Sequence, residues 1–450
     1  MYLYIKKIEM TLNEGYLRKL VRESILNIID EDFNPAFDRS NRTKSENLGR
    51  IWDEIDRKQE ELYNMVFGEL SEKLYDITKA KADAMVKNDK DNGHNTTTSN
   101  YLRVPFSVVS AGNEKLPSSV LIANMSSSLM CPSYYLGVCT IRNSACYAQR
   151  AENQYSGREE GTKAKVLQNR WQTDLMHTQM LQQYQHGNKN PMKKYFNLVE
   201  TYIQLGNAYS ANIYKQEIKK LERLKRRKLT KEEKDIIILS CSEHRISDIR
   251  LNETGDFHCQ LAVKLWDAFA RKMKKKYGIG THAYTARQLD FSDAAKNIAI
   301  NPSHGNINLG DTKPRYFKAV SDEEYDRLAE VELNENYQPI LDKRSPEGKL
   351  YYKCPCGDKE SKCDLCGVCF HPNETGKEYT IYVRYHGVKN ARGFKNIFTK
   401  NEISSVMNAL EKNGWFSEPE KKTYHTTNNQ KRLDKISSVT QKMRRSGKKK

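Results

Sequence analysis

The stretch that decides the fold spans residues 246 to 301 and reads ISDIRLNETGDFHCQLAVKLWDAFARKMKKKYGIGTHAYTARQLDFSDAAKNIAIN. The segment His258–Tyr277 has the apolar periodicity of an amphipathic helix, and residues 290–296 favour a second, short helix. Short apolar runs typical of strands lie around these helices, at 236–240, 246–251, 280–285 and 297–301. This alternation of strands and helices predicts parallel β/α units.

Polar side chains follow the predicted strands. Since ligands bind at the carboxyl ends of parallel strands, these side chains mark a candidate cavity, although any polar loop would show a similar pattern. The residues at the strand ends are Asn252, Glu253, Thr254, Gly255 and Asp256, then His282, Tyr284, Thr285 and Arg287, then Ser303, His304 and Gly305. The residues that we expect to line the cavity are Arg250, His282, Tyr284 and Arg287.

A cysteine loop precedes this stretch. Residues 130–148 read MCPSYYLGVCTIRNSACYA and contain Cys131, Cys139 and Cys146. The preceding segment, Ser118–Asn124, is β-branched and apolar and predicts a buried strand. Thiolates from one short loop can surround a single soft metal centre. Three ligands instead of four would leave one coordination position for a substrate or cofactor.

A second cysteine cluster lies in residues 351–371, which read YYKCPCGDKESKCDLCGVCFH. Close cysteine spacing with Gly and Asp in between favours turns that direct thiolates at one ion, either zinc or iron–sulfur. The candidates exceed the four ligands of one site, so some of them are spare. They are Cys354, Cys356, Cys363, Cys366 and Cys369, with His371 as a sixth. The isolated Cys241 and Cys259 are expected to be core residues.

The cysteine content is informative because the chain is expected to be cytoplasmic. The first residues, MYLYIKKIEM, contain no apolar signal region, and no run approaches the length of a membrane span. We therefore expect no membrane partner. In a reducing compartment, ten cysteines of which eight lie in two clusters favour metal binding over disulfides.

The charge of the chain favours a polyanionic partner. The formal net charge is +18, and a large part of the excess lies in a predicted basic helix at 215–234 and in the C-terminal tail that ends MRRSGKKK. These segments are candidates for contacts with nucleic-acid phosphates. The alternative is that the helix is a solvated surface helix and the charge serves solubility.

The pattern predicts an α/β fold with helical and metal-binding additions. We expect an N-terminal helical region and linker at 1–100 and a β/α core with the cysteine loop and inserted helices at 101–310. A Cys-rich metal-binding subdomain at 311–395 and a basic C-terminal tail at 396–450 follow. The inserted helices are expected to include 162–205.

The order of these motifs resembles a bacteriophage family, the gene-product-88-like proteins. The resemblance covers about residues 115 to 390 and implies a phage-encoded protein of the host cytoplasm. The matching segments are KLPSSVLIANMSSSLMCPS at 115–133, Cys139, CYA at 146–148, RLNETGDF at 250–257, YTARQLDF at 284–291 and the cysteine block at 354–369.

The same layout is similar to that of radical S-adenosylmethionine enzymes. In those enzymes a three-cysteine loop follows the first strand of a partial parallel β/α barrel. It holds a [4Fe–4S] cluster whose fourth iron binds the cofactor. The resemblance implies that the block at 354–369 is an auxiliary metal domain. It also implies cluster ligands at Cys131, Cys139 and Cys146, and cofactor contacts at Glu253, Gly255 and Asp256.

Two kinds of function follow from these patterns. The first is an iron–sulfur enzyme that generates a 5′-deoxyadenosyl radical from S-adenosylmethionine, with Arg250, His282, Tyr284 and Arg287 around the substrate. The second is a zinc-stapled nucleic-acid-binding or accessory phage protein without catalysis.

Overall fold

The computed structural model describes residues 35–68, 83, 86–87, 90–91, 109–112, 116–123, 131–136, 138–139, 180–253, 255–303, 307–355, 363–384, 411, 417–418 and 420. The predicted helices before residue 35, most of the predicted linker at 88–100 and most of the tail therefore lie outside the described residues. So do the metal candidates Cys146 and Cys356 and three of the polar loop residues, Thr254, His304 and Gly305.

A five-stranded sheet is the larger of the two sheets in this part of the chain. Its strands, in spatial order, are β1 (Val109–Ala111), β2 (Val120–Ala123), β3 (Asp248–Leu251), β4 (Gly280–Thr285) and β5 (Ala299–Pro302). β1 is antiparallel to β2, and the other neighbours are parallel. The protein therefore has the predicted mixed α/β fold with a mainly parallel sheet. Closure into a barrel stays a prediction.

The helices of this part are α1 (Glu46–Gly68), α2 (Pro132–Leu136), α3 (Lys193–Lys225), α4 (Lys231–Cys241) and α5 (Gln260–Tyr277). Residues of α1, α2, α3 and α5 share a buried core with the strands, whereas α4 packs against α3 in a separate small cluster. α5 ends at Gly278, whose φ of 69° suits a left-handed helix cap. Trp266 of α5 is fully buried against Tyr195 and Phe196 of α3, with ring centroids 5.8 and 5.0 Å away. Together with alternate strand residues such as Ile249, these aromatic rings form the main core.

The opposite face of the sheet is polar and is nevertheless buried. Successive side chains of a strand point to opposite faces, so Ile249 and Leu251 enter the helical core while Asp248 and Arg250 face the other way. His282 of β4 pairs with Arg250 in the register, and Tyr284 pairs with Asn301 of β5. The C-terminal part of the chain covers this face.

The covering part contains a three-stranded parallel sheet. β6 (Arg315–Val320) and β7 (Tyr351–Lys353) flank β8 (Tyr379–Arg384), and two short helices, α6 (Asp322–Asp326) and α7 (Cys363–Cys366), lie between these strands along the chain. The strands and connecting segments of this sheet form a second buried cluster, which is rich in tyrosine. β8 lies within the run YTIYVRY at 379–385, whose aromatic and β-branched residues are typical of a strand.

The predictions of a basic helix at 215–234 and a strand at 236–240 are wrong. α3 ends at Arg226, which has a left-handed φ of 50°, and α4 begins after Thr230. The Thr230 hydroxyl accepts from the Glu233 N–H while the Glu233 carboxylate accepts from the Thr230 N–H, so a capping box starts α4. The apolar run 236–240 continues this helix. A short apolar run fits a helix or a strand, and here the cap decides.

The helix expected over residues 162–205 is interrupted. Residues 162–179 lie outside the described part, and the chain turns at 186–192 before α3 begins. Gly187 has a φ of 98°, and its N–H donates to the Tyr184 carbonyl. None of the helices in the described part of the chain has the length and apolar composition that a bilayer crossing requires.

Candidate functional site

Asp256 joins several segments at the carboxyl edge of the parallel sheet. One carboxylate oxygen accepts from the Ser133 hydroxyl at 2.6 Å and from the Ala286 N–H at 2.8 Å. The other accepts from the Thr285 hydroxyl at 2.6 Å and from the Phe257 N–H at 2.8 Å. Burial raises the pKa of Asp256, and these hydrogen bonds oppose that shift. The carboxylate therefore acts as an internal positioning group.

The bond from Ser133 fixes the first cysteine loop at this edge. Ser133 belongs to α2, which lies between Cys131 and Cys139, and its carbonyl accepts from the Cys139 N–H at 3.2 Å. Both cysteines are half-buried and neither forms a disulfide. Two of the three predicted cluster ligands are thus at the carboxyl edge, where a parallel sheet binds its ligands.

Asn252 is a candidate that the sequence reasoning listed without assigning a role. It follows β3 directly, has a left-handed φ of 56°, and its N–H donates to the carbonyl of Ala123 at the end of β2. The residue is only 3% exposed, yet neither the nitrogen nor the oxygen of its amide has a hydrogen-bond partner among the residues that the structure describes. A buried amide in this state is suited to a ligand that offers both a donor and an acceptor.

The predicted cofactor residues next to Asn252 lie at the same edge. Glu253 is half-buried, and Gly255 has a φ of 84°, a conformation that glycine adopts without strain. Ser303, after β5, donates its N–H to the Thr285 carbonyl at 2.9 Å. The structure therefore brings together the residues after β3, β4 and β5 that the strand-end argument selected.

Arg287 is buried, and its guanidinium is bonded within the protein interior. Its guanidinium donates to both carboxylate oxygens of Glu420, at 2.6 and 2.9 Å, and to the carbonyls of Phe257 and His258. Burial by itself lowers the pKa of Arg287, but the hydrogen bond to Glu420 together with the nearby charges of Glu420 and Asp256 leaves the pKa raised. Glu420 is fully buried, although it lies within the segment 396–450 that the sequence predicts to be a basic C-terminal tail.

A second group of candidate residues lies on the polar face of the sheet. The Nδ1 atom of His282 is bonded to the Asp248 carboxylate, while Nε2 has no hydrogen-bond partner in the described part of the chain, although the residue is fully buried. Burial lowers the pKa of His282, and Asp248 opposes that shift. The Phe370 ring stacks on the imidazole with centroids 4.5 Å apart. Sequence reasoning found His282 but missed Asp248, a charged residue inside an otherwise apolar strand.

Arg250 and Tyr284 extend this polar layer. The Arg250 guanidinium lies 5.1 Å from the centre of the Tyr284 ring. Burial raises the pKa of Tyr284 well above its ordinary value, and the neighbouring Cys369 and Cys363 act in the same direction. Three of the four predicted cavity residues, Arg250, His282 and Tyr284, therefore share one face, and Arg287 is elsewhere.

The cysteine-rich turn lies directly against this face. Arg315, 1% exposed, donates to the Asn301 side chain at 2.6 Å and to the carbonyls of Val368 and Cys369. The Asn301 amide also donates to the Cys369 carbonyl, at 3.1 Å. These bonds hold the backbone of the turn against β5.

The turn between Cys363 and Cys369 is closed by a backbone hydrogen bond. The Gly367 N–H donates to the Cys363 carbonyl at 2.8 Å, and Gly367 has a φ of 64°. Cys366 Sγ lies 3.1 Å from the Tyr352 hydroxyl, and burial raises the pKa of Cys369 to about 12. Cys354 and Cys366 both belong to the tyrosine-rich buried cluster of the three-stranded sheet. His371, in contrast, stacks on Tyr337 at the surface.

The fit of these residues to a metal ion rests on donor chemistry. No three His, Cys, Asp or Glu side chains within the described ranges are arranged as a metal site. One candidate ligand of each cysteine group lies outside those ranges, Cys146 in the first group and Cys356 in the second. The thiols of Cys363, Cys366 and Cys369 lie within electrostatic reach of one another, and none is in a disulfide. These thiols and the orphaned imidazole nitrogen are suitable ligands for zinc or iron.

The predicted nucleic-acid segment is partly neutralised within the chain. Glu233 binds both Lys225 and Arg227, at 2.6 and 2.7 Å, and Lys228 lies 3.1 Å from Glu222. These cations are therefore less available for phosphate contacts than the sequence pattern indicates.

The fold and this site define a mixed α/β protein in which two cysteine-bearing turns lie against a mainly parallel sheet. Comparison of the chain with protein-family models, curated proteins and solved structures finds no match. The function is therefore inferred from the site alone.

Proposed function

We propose that the protein is an iron–sulfur enzyme similar to radical S-adenosylmethionine enzymes, with its reaction site at the carboxyl edge of a partial β/α barrel. The bond between Ser133 and Asp256 carries the proposal. It ties the Cys131 loop to the ends of β3 and β4, where a cofactor of this class would be bound.

Cys131, Cys139 and Cys146 would hold a three-thiolate [4Fe–4S] cluster. When bound, the cluster supplies the electron that splits S-adenosylmethionine. α2 and its bond to Asp256 keep Cys131 and Cys139 at the sheet edge, and the half-buried loop limits access of water to the cluster.

The residues after β3 would bind the polar end of S-adenosylmethionine. The Glu253 carboxylate would accept from the amine, and the Asn252 amide would use its unmet donor and acceptor on the same ligand. Gly255 lets the backbone turn closely at that point. Asp256, whose oxygens are used inside the protein, would position this segment.

Anaerobic reconstitution of the full chain with iron and sulfide tests the proposal. We expect a brown protein whose reduced form gives an electron paramagnetic resonance signal that changes on addition of S-adenosylmethionine. Cys131→Ala, Cys139→Ala and Cys146→Ala should each abolish that change. A full chain that takes up zinc but no iron would refute the proposal.

Cys241→Ala provides the matched control. Cys241 is buried in a small cluster with Leu221, Leu229 and Ile237, away from both cysteine turns. Its replacement should leave the iron content and the response to S-adenosylmethionine unchanged. Equal losses in Cys241→Ala and Cys139→Ala would mean that cluster loading reports general misfolding.

The net charge of +18 favours nucleic-acid binding as a second candidate function. The ion pairs of Glu233 and Glu222 weaken it, because they use cations of the predicted basic segment. Phosphate contacts would give an affinity that falls steeply as salt rises. Binding to DNA or RNA that is independent of salt, or absent at low salt, would exclude this function.

A further inference from the structure

The outer side of α5 carries a row of exposed cations, which we call the α5 basic surface. Apolar residues of this helix, such as Trp266 and Met273, are buried in the main core. Its basic residues are all exposed, and they are Lys264, Arg271, Lys272, Lys274, Lys275 and Lys276. Lys264, Arg271 and Lys275 occupy positions i, i+7 and i+11, so they align on one face of the helix.

Few carboxylates offset this charge. Glu200 of α3 binds both Lys272, at 2.5 Å, and Lys276, at 2.6 Å, and Asp267 lies 3.2 Å from Arg271. The Glu200 and Asp267 side chains are themselves largely buried, with 8% and 11% exposed. Within the described ranges, no carboxylate forms an ion pair with the three other lysines of the surface. The surface therefore presents an excess of positive charge to solvent.

Neighbouring elements fix the end of α5 and add a further cation. The exposed Arg245 donates to the carbonyl of Tyr277 at 3.4 Å. The Tyr277 hydroxyl donates to the Glu200 carboxylate at 2.9 Å and accepts from the Gln204 amide at 3.2 Å. Because the apolar side of α5 is also buried in the core, the cations are mounted on an ordered part of the protein.

The chemistry of this surface favours a nucleic-acid duplex over a membrane or a single strand. A helix that lies in a membrane surface exposes large apolar residues beside its cations, and none of the exposed large apolar residues of the described chain belongs to α5. Single strands bind by stacking on exposed aromatic rings. Here the Tyr277 ring is covered by the Lys276 ammonium, 4.9 Å from its centre. A duplex carries one charge per about 1.7 Å, and the aligned row spans about 16 Å.

We propose that the α5 basic surface binds the phosphate backbone of a nucleic-acid duplex, with Lys264, Lys274 and Lys275 as the main phosphate contacts. The inference rests on the second candidate function, nucleic-acid binding, and assigns that function to a surface other than the predicted segment at 215–234. Backbone contacts carry no sequence information, so duplexes of unrelated sequence bind alike.

The salt dependence of duplex binding to the full chain tests the proposal. Fluorescence anisotropy is measured with two short labelled DNA duplexes of unrelated sequence and with an RNA duplex, and binding to either nucleic acid supports the proposal. The triple variant Lys264→Gln/Lys274→Gln/Lys275→Gln should make the slope of log affinity against log salt less steep by about 3, since each lost phosphate contact removes about 0.9. The corresponding triple Lys→Arg variant should bind as the wild type does. An unchanged slope in the glutamine variant would overturn the proposal.

Lys215→Gln/Lys219→Gln/Arg223→Gln is the matched control. It removes the same amount of charge from exposed positions of the segment 215–234 and should leave the slope nearly unchanged. An equal or larger loss in this variant would overturn the proposal, because net charge or that segment would then account for binding. Tighter binding to the single strand, or binding to phosphatidylglycerol vesicles but not to duplexes, would also overturn it.

Failure of the second candidate function and failure of this inference give different results. A wild-type chain that binds no duplex at low salt refutes both, whereas a chain that binds duplexes with the same slope in the α5 variant refutes only the assignment to α5. Lys274 and Lys275 lie in the last turn of α5, where cations also stabilise a helix, so circular dichroism checks the folding of each variant. Lys264→Gln lies outside that turn and should alone reduce the slope by about 1. No reduction in this single variant would overturn the proposal.

Discussion

Arg287 and Glu420 form an ion pair whose two side chains are both fully buried, although they are 133 positions apart in the chain. The guanidinium and the carboxylate meet through two bonds, and the Glu420 carboxylate also accepts from the Ser417 N–H at 2.9 Å. The C-terminal region therefore contributes a charge to the interior next to Asp256, at the edge that holds the candidate site.

Replacement of Glu420 should destabilise the protein strongly. Glu420→Ala leaves the Arg287 charge buried without its counter-ion, and we expect a loss of about 3–5 kcal/mol in the free energy of unfolding. Urea denaturation followed by circular dichroism measures it. The double variant Arg287→Met/Glu420→Met removes both charges and should be much closer to wild type. A small effect of Glu420→Ala would mean that this contact is not formed in solution.

The ion pair of Arg287 and Glu420 should make the free energy of unfolding depend on pH. Burial by itself raises the pKa of Glu420, but the hydrogen bond and charge of Arg287, together with the N–H donors of Ser417 and Gln288, leave the pKa below its ordinary value. A lowered folded-state pKa stabilises the protein above the unfolded-state value of about 4.3, and the benefit is lost as the pH falls through the folded-state pKa. When the pH is lowered from about 6 to about 3, the free energy of unfolding should decrease less for Glu420→Gln than for the wild type. Urea denaturation at each pH measures the difference.

Asp256→Asn should disturb the carboxyl edge with almost no change in shape. Each oxygen of Asp256 accepts from a backbone N–H, of Phe257 or Ala286, so either orientation of the amide places its NH₂ against a donor. We expect a loss of about 1–3 kcal/mol in the free energy of unfolding and a lower iron content after reconstitution. Asp293→Asn is the control, because that side chain is 90% exposed. A stable variant with normal iron content would contradict the positioning role.

Gly280→Ala should loosen the pairing of Asp248 with His282. A Cβ atom at position 280 would collide with the Asp248 carboxylate, so β3 or the carboxylate must shift. Overpacking of this kind costs about 1–3 kcal/mol in the free energy of unfolding, which urea denaturation followed by circular dichroism measures. Gly49→Ala is the matched control, since it lies in α1 with only an ordinary contact at 3.4 Å. Alanine favours helices, so Gly49→Ala should be neutral or slightly stabilising.

The corner between α3 and α4 should depend on Glu233. Hydrogen bonds from Arg227 and Lys225 lower the pKa of Glu233 to about 2. The stabilisation from these hydrogen bonds is therefore present above the ordinary pKa of the carboxyl and fades as the pH falls towards about 2.

Thr230→Ala tests the start of α4. It removes the capping box at a cost of about 1 kcal/mol and should speed amide exchange in α4. Glu217→Gln, in an exposed pair with Lys220, is the control and should leave that exchange unchanged.

Local patterns in the sequence predicted the β/α units because they depend on near neighbours. The run 280–285 became β4, and His258–Tyr277 contains α5, since apolar periodicity and the turn at Gly278 act within a few residues. The run 236–240 was misassigned for the same reason. Its composition fits a helix or a strand, and a cap six residues earlier, at Thr230, determines the outcome.

By itself, the sequence determined the parallel β/α order, the strand ends that carry Asn252, Asp256 and Thr285, and the two groups of cysteines. Only the tertiary structure decided that Asp248 pairs with His282, that Glu420 neutralises Arg287, and that Arg315 holds the cysteine turn on the sheet. Periodicity and spacing act over a few residues, whereas a buried charge or lone pair takes whatever partner the packing of distant segments brings to it.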